Sequence, residues 1–272
     1  MCVYTYHING TGNYGVAVTL DGLYLVVSNS DAHNLSVYSK VTGSRISTFG
    51  SMGSRAGQFL YPGRICATPR GTILVCESGN KRLQEITMTG KHVRFIGVGH
   101  LDSLFDDSVF GLCLQGDIVA VGKMHGSTNG RIVLFSYSSG AFIRKFGSYG
   151  PGEGQVRNIT GLSFTSDGRH ILVAEFASRL TLFTVDGAFV KTIGVGVIAV
   201  GCKDVLCSGP SVFTVDSWNH CIRVFSSETG ALIQTWGTRG HADGQFSFPT
   251  TLTAHNSNLF VRDRQPRVQV FE

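Results

Sequence analysis

Short apolar runs separated by polar turns recur along the whole chain. No stretch keeps the spacing of three and four residues that one face of a helix requires. From Arg64 to Glu77 an apolar strand, a glycine turn and a second apolar strand ending at an acid follow one another. Asn80–Ile86 comes next, then a polar glycine turn, then Val93–Gly97. The order returns in Gly161–Phe164, Ile171–Glu175, Leu180–Phe183 and Lys191–Gly194. It returns again in Val205–Cys207, Val212–Asp216, Asn219–Phe225 and Gln234–Gly237. Within runs such as Arg267–Phe271, polar and apolar residues alternate with the period of two that sends them to opposite faces of a strand.

An aromatic or large aliphatic residue marks the third strand of each unit, at Tyr38, Ile86, Phe135, Phe183, Phe225 and Phe271. A spacing of about 45 residues is what four short strands and their turns fill. The pattern predicts an all-β, six-bladed β-propeller of four-stranded antiparallel blades, with residues 1–272 as a single domain. The last unit stops at its third strand, Arg267–Phe271, whereas Val3–Gly10 looks like an isolated fourth strand. The N-terminal strand is therefore expected to complete the last blade, closing a ring and covering edges that would otherwise pair with other chains.

Particular residues point to a family. Asn219-His220-Cys221-Ile222 and Asn80-Lys81-Arg82-Leu83 precede or enter third strands. Gly57–Pro62 and Gly244–Pro249 share a Gly-Gln-Phe-x-x-Pro pattern ahead of first strands, and Phe49-Gly50, Phe146-Gly147 and Trp236-Gly237 end fourth strands. These motifs resemble NHL repeats, over the whole chain and most closely in units two and five. Units three and four depart: Phe110-Gly111 lacks a preceding Pro, and Arg179-Leu180 lacks the Asn. The resemblance implies a propeller that binds proteins in some members and single-stranded RNA in others. One member class is a metal-dependent lyase, and related propellers include calcium-dependent lactonases.

Composition narrows the classes. With 42% apolar and 15% charged residues and 35 glycines, the 272-residue chain is turn-rich and neither fibrous nor disordered. A net charge of +5 lacks the dense basic runs that announce a nucleic-acid tail. The seven cysteines form no C-x-x-C pair and mostly sit inside apolar strands, so they are expected to act as small buried hydrophobes in a reduced, intracellular or cytoplasmic setting. No signal-peptide pattern is visible, and the longest apolar stretch, Val195–Val200, is far too short to span a bilayer, so no membrane partner is expected.

The innermost strands, predicted at 16–18, 65–67, 112–114, 162–164, 205–207 and 251–253, carry no convergent His or carboxylate set; Arg64 and Asp204 merely flank them. No cofactor, metal site or catalytic residue is therefore expected. Glu77, Glu175, Asp216 and Asp263 recur near the end of second strands, as acceptors that tie down backbone N–H groups of the next loop. Gly10–Gly15 satisfies the G-x-G-x-x-G dinucleotide fingerprint, but a strand follows it where that site needs a helix, so it is a turn.

Loops into first strands and loops between second and third strands share one face of such a ring. That face is expected to carry Lys81, Arg82, Lys123, Arg131, Arg179, Arg223, Arg262, Arg264 and Arg267, opposed by Asp31 and the four recurring acids. Trp218, Tyr14, Tyr61, His125, His220 and Phe176 lie among them. Trp, Tyr and Arg anchor protein interfaces, and the same inventory stacks on unpaired bases and neutralises phosphates. Asp102, Asp106 and Asp107 on the same face would repel phosphates, and the insertion 124–130 lengthens a loop there. The expectation is a non-catalytic scaffold that binds a protein or peptide through Trp218, His220, Tyr61, Lys81, Arg82, Arg223, Arg262, Arg264 and Arg267. Single-stranded RNA on the same face is the alternative, and a metal-dependent lyase or hydrolase the third reading.

Overall fold

A computed structural model describes residues 3–8, 13–97, 109–123 and 130–272. Six four-stranded antiparallel sheets form a ring, a six-bladed β-propeller without a helix among the described residues. Blade 1 runs through Asn13–Val18, Tyr24–Asn29, Asn34–Ser39 and Arg45–Phe49; blade 2 through Pro62–Ala67, Ile73–Glu77, Arg82–Ile86 and His92–Ile96. Blade 3 comprises Val109–Gln115, Ile118–Lys123, Ile132–Ser136 and Phe142–Phe146. Blade 4 comprises Ile159–Phe164, His170–Glu175, Arg179–Thr184 and Phe189–Ile193. Blade 5 holds Cys202–Ser208, Ser211–Asp216, Cys221–Ser226 and Leu232–Trp236; blade 6 holds Thr251–His255, Asn258–Arg262 and Arg267–Phe271. The fourth strand of blade 6 is Val3–His7, paired antiparallel with Arg267–Phe271 from Val3 opposite Phe271 to His7 opposite Arg267. The closure expected from the pattern is therefore present.

Middle strands such as Ile73–Glu77 and Ile171–Glu175 are apolar almost without interruption because both faces of each sheet are covered. Six apolar clusters result, one between each pair of neighbouring blades. The third-strand residues Tyr38, Ile86, Phe135, Phe183, Phe225 and Phe271 are all buried within them. At the seam, Tyr6 and Ile8 pack with Val16, Val18 and Tyr38 of blade 1, and the Tyr6 hydroxyl donates to the Lys40 carbonyl.

Turns on the far side of the ring are set locally. In Thr19–Gly22 and Thr165–Gly168 the threonine hydroxyl donates to the aspartate two residues on, at 2.5 and 2.6 Å. The aspartate then accepts the N–H of Leu23 or Arg169 at 3.0 Å, and Gly22 or Gly168 takes the left-handed φ the turn demands.

Cys76, Cys202 and Cys221 are buried, and the described cysteines are free thiols. Burial pushes the Cys202 thiol up to about 12 and the Cys221 thiol up to about 11. Both should stay unreactive toward a disulfide reagent at neutral pH until denaturant unfolds the ring, which a stopped-flow thiol assay would show. Phe183 is fully buried between Phe146 and Phe189, with ring centroids 5.4 and 6.4 Å away. Replacing it with Ala should cost about 3–5 kcal/mol in urea-induced unfolding, the range for emptying a packed aromatic site.

Candidate functional site

The six innermost strands surround a central cavity of about 280 Å³. At the first-strand starts, where one loop face of the ring lies, the antiparallel register breaks. The breaks occur in blades 1 to 5, and include those between Pro62 and Ile65 in blade 2 and between Cys202 and Val205 in blade 5. Such bulges re-aim side chains, and the residues they free include Arg64 and Asp204. Because blades 2 and 5 are opposite in a six-membered ring, these two meet across the cavity mouth in an ion pair of 2.5 Å. Arg64 also donates to the Thr251 hydroxyl and to the carbonyls of Thr160 and Lys203, at 2.9 and 2.8 Å. Asp204 accepts from Thr251 Oγ1 at 2.7 Å and from the Leu252 N–H at 3.0 Å. Gly161 makes room for it: a Cβ there would lie 2.4 Å from Asp204 Oδ1. The expectation that Arg64 and Asp204 merely flank the inner strands is corrected, since together they tie blade 2 to blades 4, 5 and 6.

Outside this mouth, the loops between blades follow a repeated construction. Met52 bridges Phe59, Ser148–Tyr149 pairs in parallel with Gln155–Val156, and Thr238–Arg239 pairs with Gln245–Phe246. Phe59, Val156 and Phe246 plug the cores beneath. Each loop is held by an acid and an arginine from the following blade. Glu77 accepts from Leu60 N at 3.1 Å, Glu175 from Arg157 N at 2.8 Å and Asp263 from Ser247 N at 3.0 Å. Arg82, Arg179 and Arg267 donate to the carbonyls of Gln58, Gln155 and Gln245 at 2.9, 2.8 and 2.8 Å while pairing with those acids. Blade 5 has the same pair in Arg223 and Asp216, at 2.6 Å. The recurring acids thus accept backbone N–H groups, as expected, but those of the loop entering their own blade rather than of the next loop, where among the described residues only Asp263 takes one, from Gln265 at 2.9 Å.

This construction changes the standing of several nominated residues. Arg82, Arg223 and Arg267 spend their guanidinium groups on buried carboxylates, and Arg82 also lies over the Phe95 ring at 4.3 Å. Arg262 is buried and donates to Thr250 Oγ1 at 3.0 Å. His220 is buried too; its Nδ1 accepts the Phe248 N–H at 3.1 Å, as His33 Nδ1 accepts that of Tyr61. These five were expected as surface anchors; the structure places them in the supports of the loops, because the recurring acids pair with the three arginines, and a hydroxyl and a backbone N–H that the sequence pattern does not locate meet Arg262 and His220.

Trp218 and Tyr61 are exposed, at 58% and 49%, as is Arg264, and Lys81 is half-buried. Phe176 meets Trp218 edge-on with ring centroids 6.4 Å apart, and the Lys203 ammonium lies 4.8 Å from the Phe176 centroid. Tyr61 stands apart from that pair, against His33 at 4.8 Å. Neither Lys203 nor Arg64 was singled out for this face, since a side chain beside a first strand gives no sign of a bulge. The side chains of Tyr14 and Lys123, His125, the acids at 102, 106 and 107, the insertion 124–129 and Gly10–Gly12 lie outside the described residues.

Left-handed backbone concentrates on the same face. His33, Tyr61, Lys81, Asn158, Ser178, His220 and Phe248 have positive φ between 49° and 83°, and all flank first-strand starts or lie in second-to-third turns. For side chains as bulky as Tyr and Phe this conformation is costly, and it persists only where the surroundings fix it. The His33 and His220 acceptors do so for Tyr61 and Phe248. Among the described residues, no group of three or more His, Cys, Asp or Glu side chains is placed to hold a metal ion. No protein-family model and no curated protein matches this chain.

Arg64→Ala should destabilise the ring by about 3–5 kcal/mol, because it strands a buried carboxylate. Adding Asp204→Asn should recover part of that loss in a double-mutant cycle followed by urea unfolding.

Proposed function

We propose that this propeller is a non-catalytic recognition scaffold that binds a protein or peptide on the face carrying Tyr61 and Trp218. The observation that supports it best is the contrast on that face between exposed aromatic rings and immobilised loops. Large aromatic side chains with few rotors, presented on a backbone already held by acid–arginine pairs, lose little entropy on binding. Tyr61 and Trp218 serve as anchors in this reading, with Arg264 and Lys81 as the charged rim. The NHL-type assignment of the repeats belongs to the same proposal. It is supported by Asn80 and Asn219, whose side-chain amides donate to Glu77 at 2.6 Å and to Asp216 at 3.1 Å.

The pairing of Arg82, Arg179, Arg223 and Arg267 with carboxylates weighs toward a protein and against single-stranded RNA, since it removes four cations that phosphates would need. The RNA reading predicts tight binding of a randomised single-stranded pool that falls steeply and log-linearly with salt.

Trp218→Ala combined with Arg264→Ala should remove specific partners from quantitative affinity capture while leaving the thermal midpoint unchanged. Tyr61→Gly separates binding from folding differently. Relief of the left-handed strain, about 1–2 kcal/mol, should offset the extra backbone entropy of glycine, about 0.5–1 kcal/mol. Stability should therefore hold or rise slightly while affinity falls. Partners retained by all these variants would move the binding face elsewhere.

A further inference from the structure

We propose that Lys203, Phe176 and Trp218 form a notch for an acidic segment of a partner protein, which seats an apolar side chain against the two rings and an adjacent carboxylate on the lysine. The proposal rests on the protein-binding reading above and specifies its chemistry.

The first support is where the repeat breaks down. The residue after the second-strand acid is Ser78 in blade 2, Ser217 in blade 5 and Arg264 in blade 6, but the aromatic Phe176 in blade 4. The next residue is Gly79 in blade 2, Ala177 in blade 4 and Gln265 in blade 6, but the aromatic Trp218 in blade 5. The residue following the strand position opposite that acid is Gly63 or Thr160 in blades 2 and 4, but Lys203 in blade 5. Two aromatic rings and a lysine, on three different segments, converge at one junction between blades 4 and 5. A purely structural repeat supplies no reason for that convergence.

The second support is the charge left over. Among the described residues no carboxylate pairs with Lys203, and its ammonium lies over the Phe176 ring. The acids of this junction have partners of their own: Asp204 in Arg64, Thr251 and Leu252, Glu175 in Arg179, Thr181 and the Arg157 N–H, and Asp216 in Arg223 through Oδ2, while its buried Oδ1 takes no hydrogen bond among the described residues. Burial, and then the Arg64 guanidinium, hold the Lys203 ammonium below its ordinary range. An incoming carboxylate would relieve that electrostatic cost.

The third support is that the notch is formed before any ligand arrives. Gly201 N–H donates to the Phe176 carbonyl at 2.9 Å, and the Gly201 carbonyl accepts from Ser217 N–H at 3.3 Å. A single residue thus ties together the two loops that carry the rings. Gly201 also lets Trp218 lie flat, since a Cβ there would come within 2.6 Å of Trp218 Cδ1. Val200, 49% exposed, and Trp218 give the rim an apolar character. One ammonium beside two rings and a valine suits a carboxylate next to an apolar residue better than a run of phosphates, because the neighbouring Arg179 and Arg223 are already paired.

The test is selection from a random dodecapeptide phage library on the wild-type protein, followed by fluorescence anisotropy with an enriched peptide and its Asn/Gln counterpart. Enriched sequences should place Asp or Glu beside an aromatic or large aliphatic residue. Lys203→Gln should weaken the acidic peptide about tenfold, the weight of one charge-assisted contact, and leave the neutral counterpart unchanged. Lys203→Arg should retain binding, and both variants should melt like the wild type. Enriched peptides without acids, or an acidic peptide indifferent to Lys203→Gln, would overturn the proposal. If such acid-free peptides were lost in Trp218→Ala, the scaffold reading would stand without it; no enrichment at all would remove both. A labelled decauridylate that binds the wild type and weakens in Lys203→Gln would transfer the notch to nucleic acid and overturn the peptide assignment.

Discussion

A four-stranded sheet that is apolar on both faces cannot bury itself against one partner; it needs a neighbour on each side. Closing a ring is the way six such sheets satisfy that need without leaving an uncovered face. Everything else in this protein follows from the closure. The six interblade clusters exist because each sheet is wedged between two others, and the N-terminal strand completes blade 6 and seats Tyr6 and Ile8 against blade 1. Closure also brings first strands of opposite blades within reach of one another, so that Arg64 of blade 2 can grip Asp204 of blade 5 across the cavity mouth.

Buried ion pairs rarely add much net stability, since desolvating both charges offsets their attraction, whereas removing one partner is costly. The acid–arginine pairs under the interblade loops are better understood as devices for fixing geometry. Each acid takes a backbone N–H and each of three arginines takes a backbone carbonyl from the same loop. The loop's polar groups, which no strand partner can satisfy, are thereby paired. A loop held at both its donors and its acceptors can keep Tyr61 and Phe248 in a left-handed conformation that a mobile loop would abandon. Held loops and exposed rings lie on one face, and in the proposed scaffold role that combination would keep the ordering cost of binding small.

Repetition makes the face readable. Where blades agree, as in the second-strand acids and the glutamines of the interblade loops, the residues serve the scaffold. Where they disagree, as at Phe176, Trp218 and Lys203, the scaffold does not require them.

The fold was legible in the sequence because its causes are local and repeated. Period-two alternation, glycine turns and a large third-strand residue at regular intervals specify strands, and their number and the orphaned terminal strand specify the ring. The recurring acids were legible as loop supports for the same reason. The arginines were not, because a sequence shows that Arg82 or Arg267 lies near a loop but not whether a carboxylate or a backbone carbonyl has claimed it. Nor was the Arg64–Asp204 bridge, whose members are 140 residues apart and meet through two register bulges and the curvature of the ring. Local pattern determines which residues make strands and turns; pairing across the ring, which depends on distances no local pattern encodes, was decided by the tertiary structure alone.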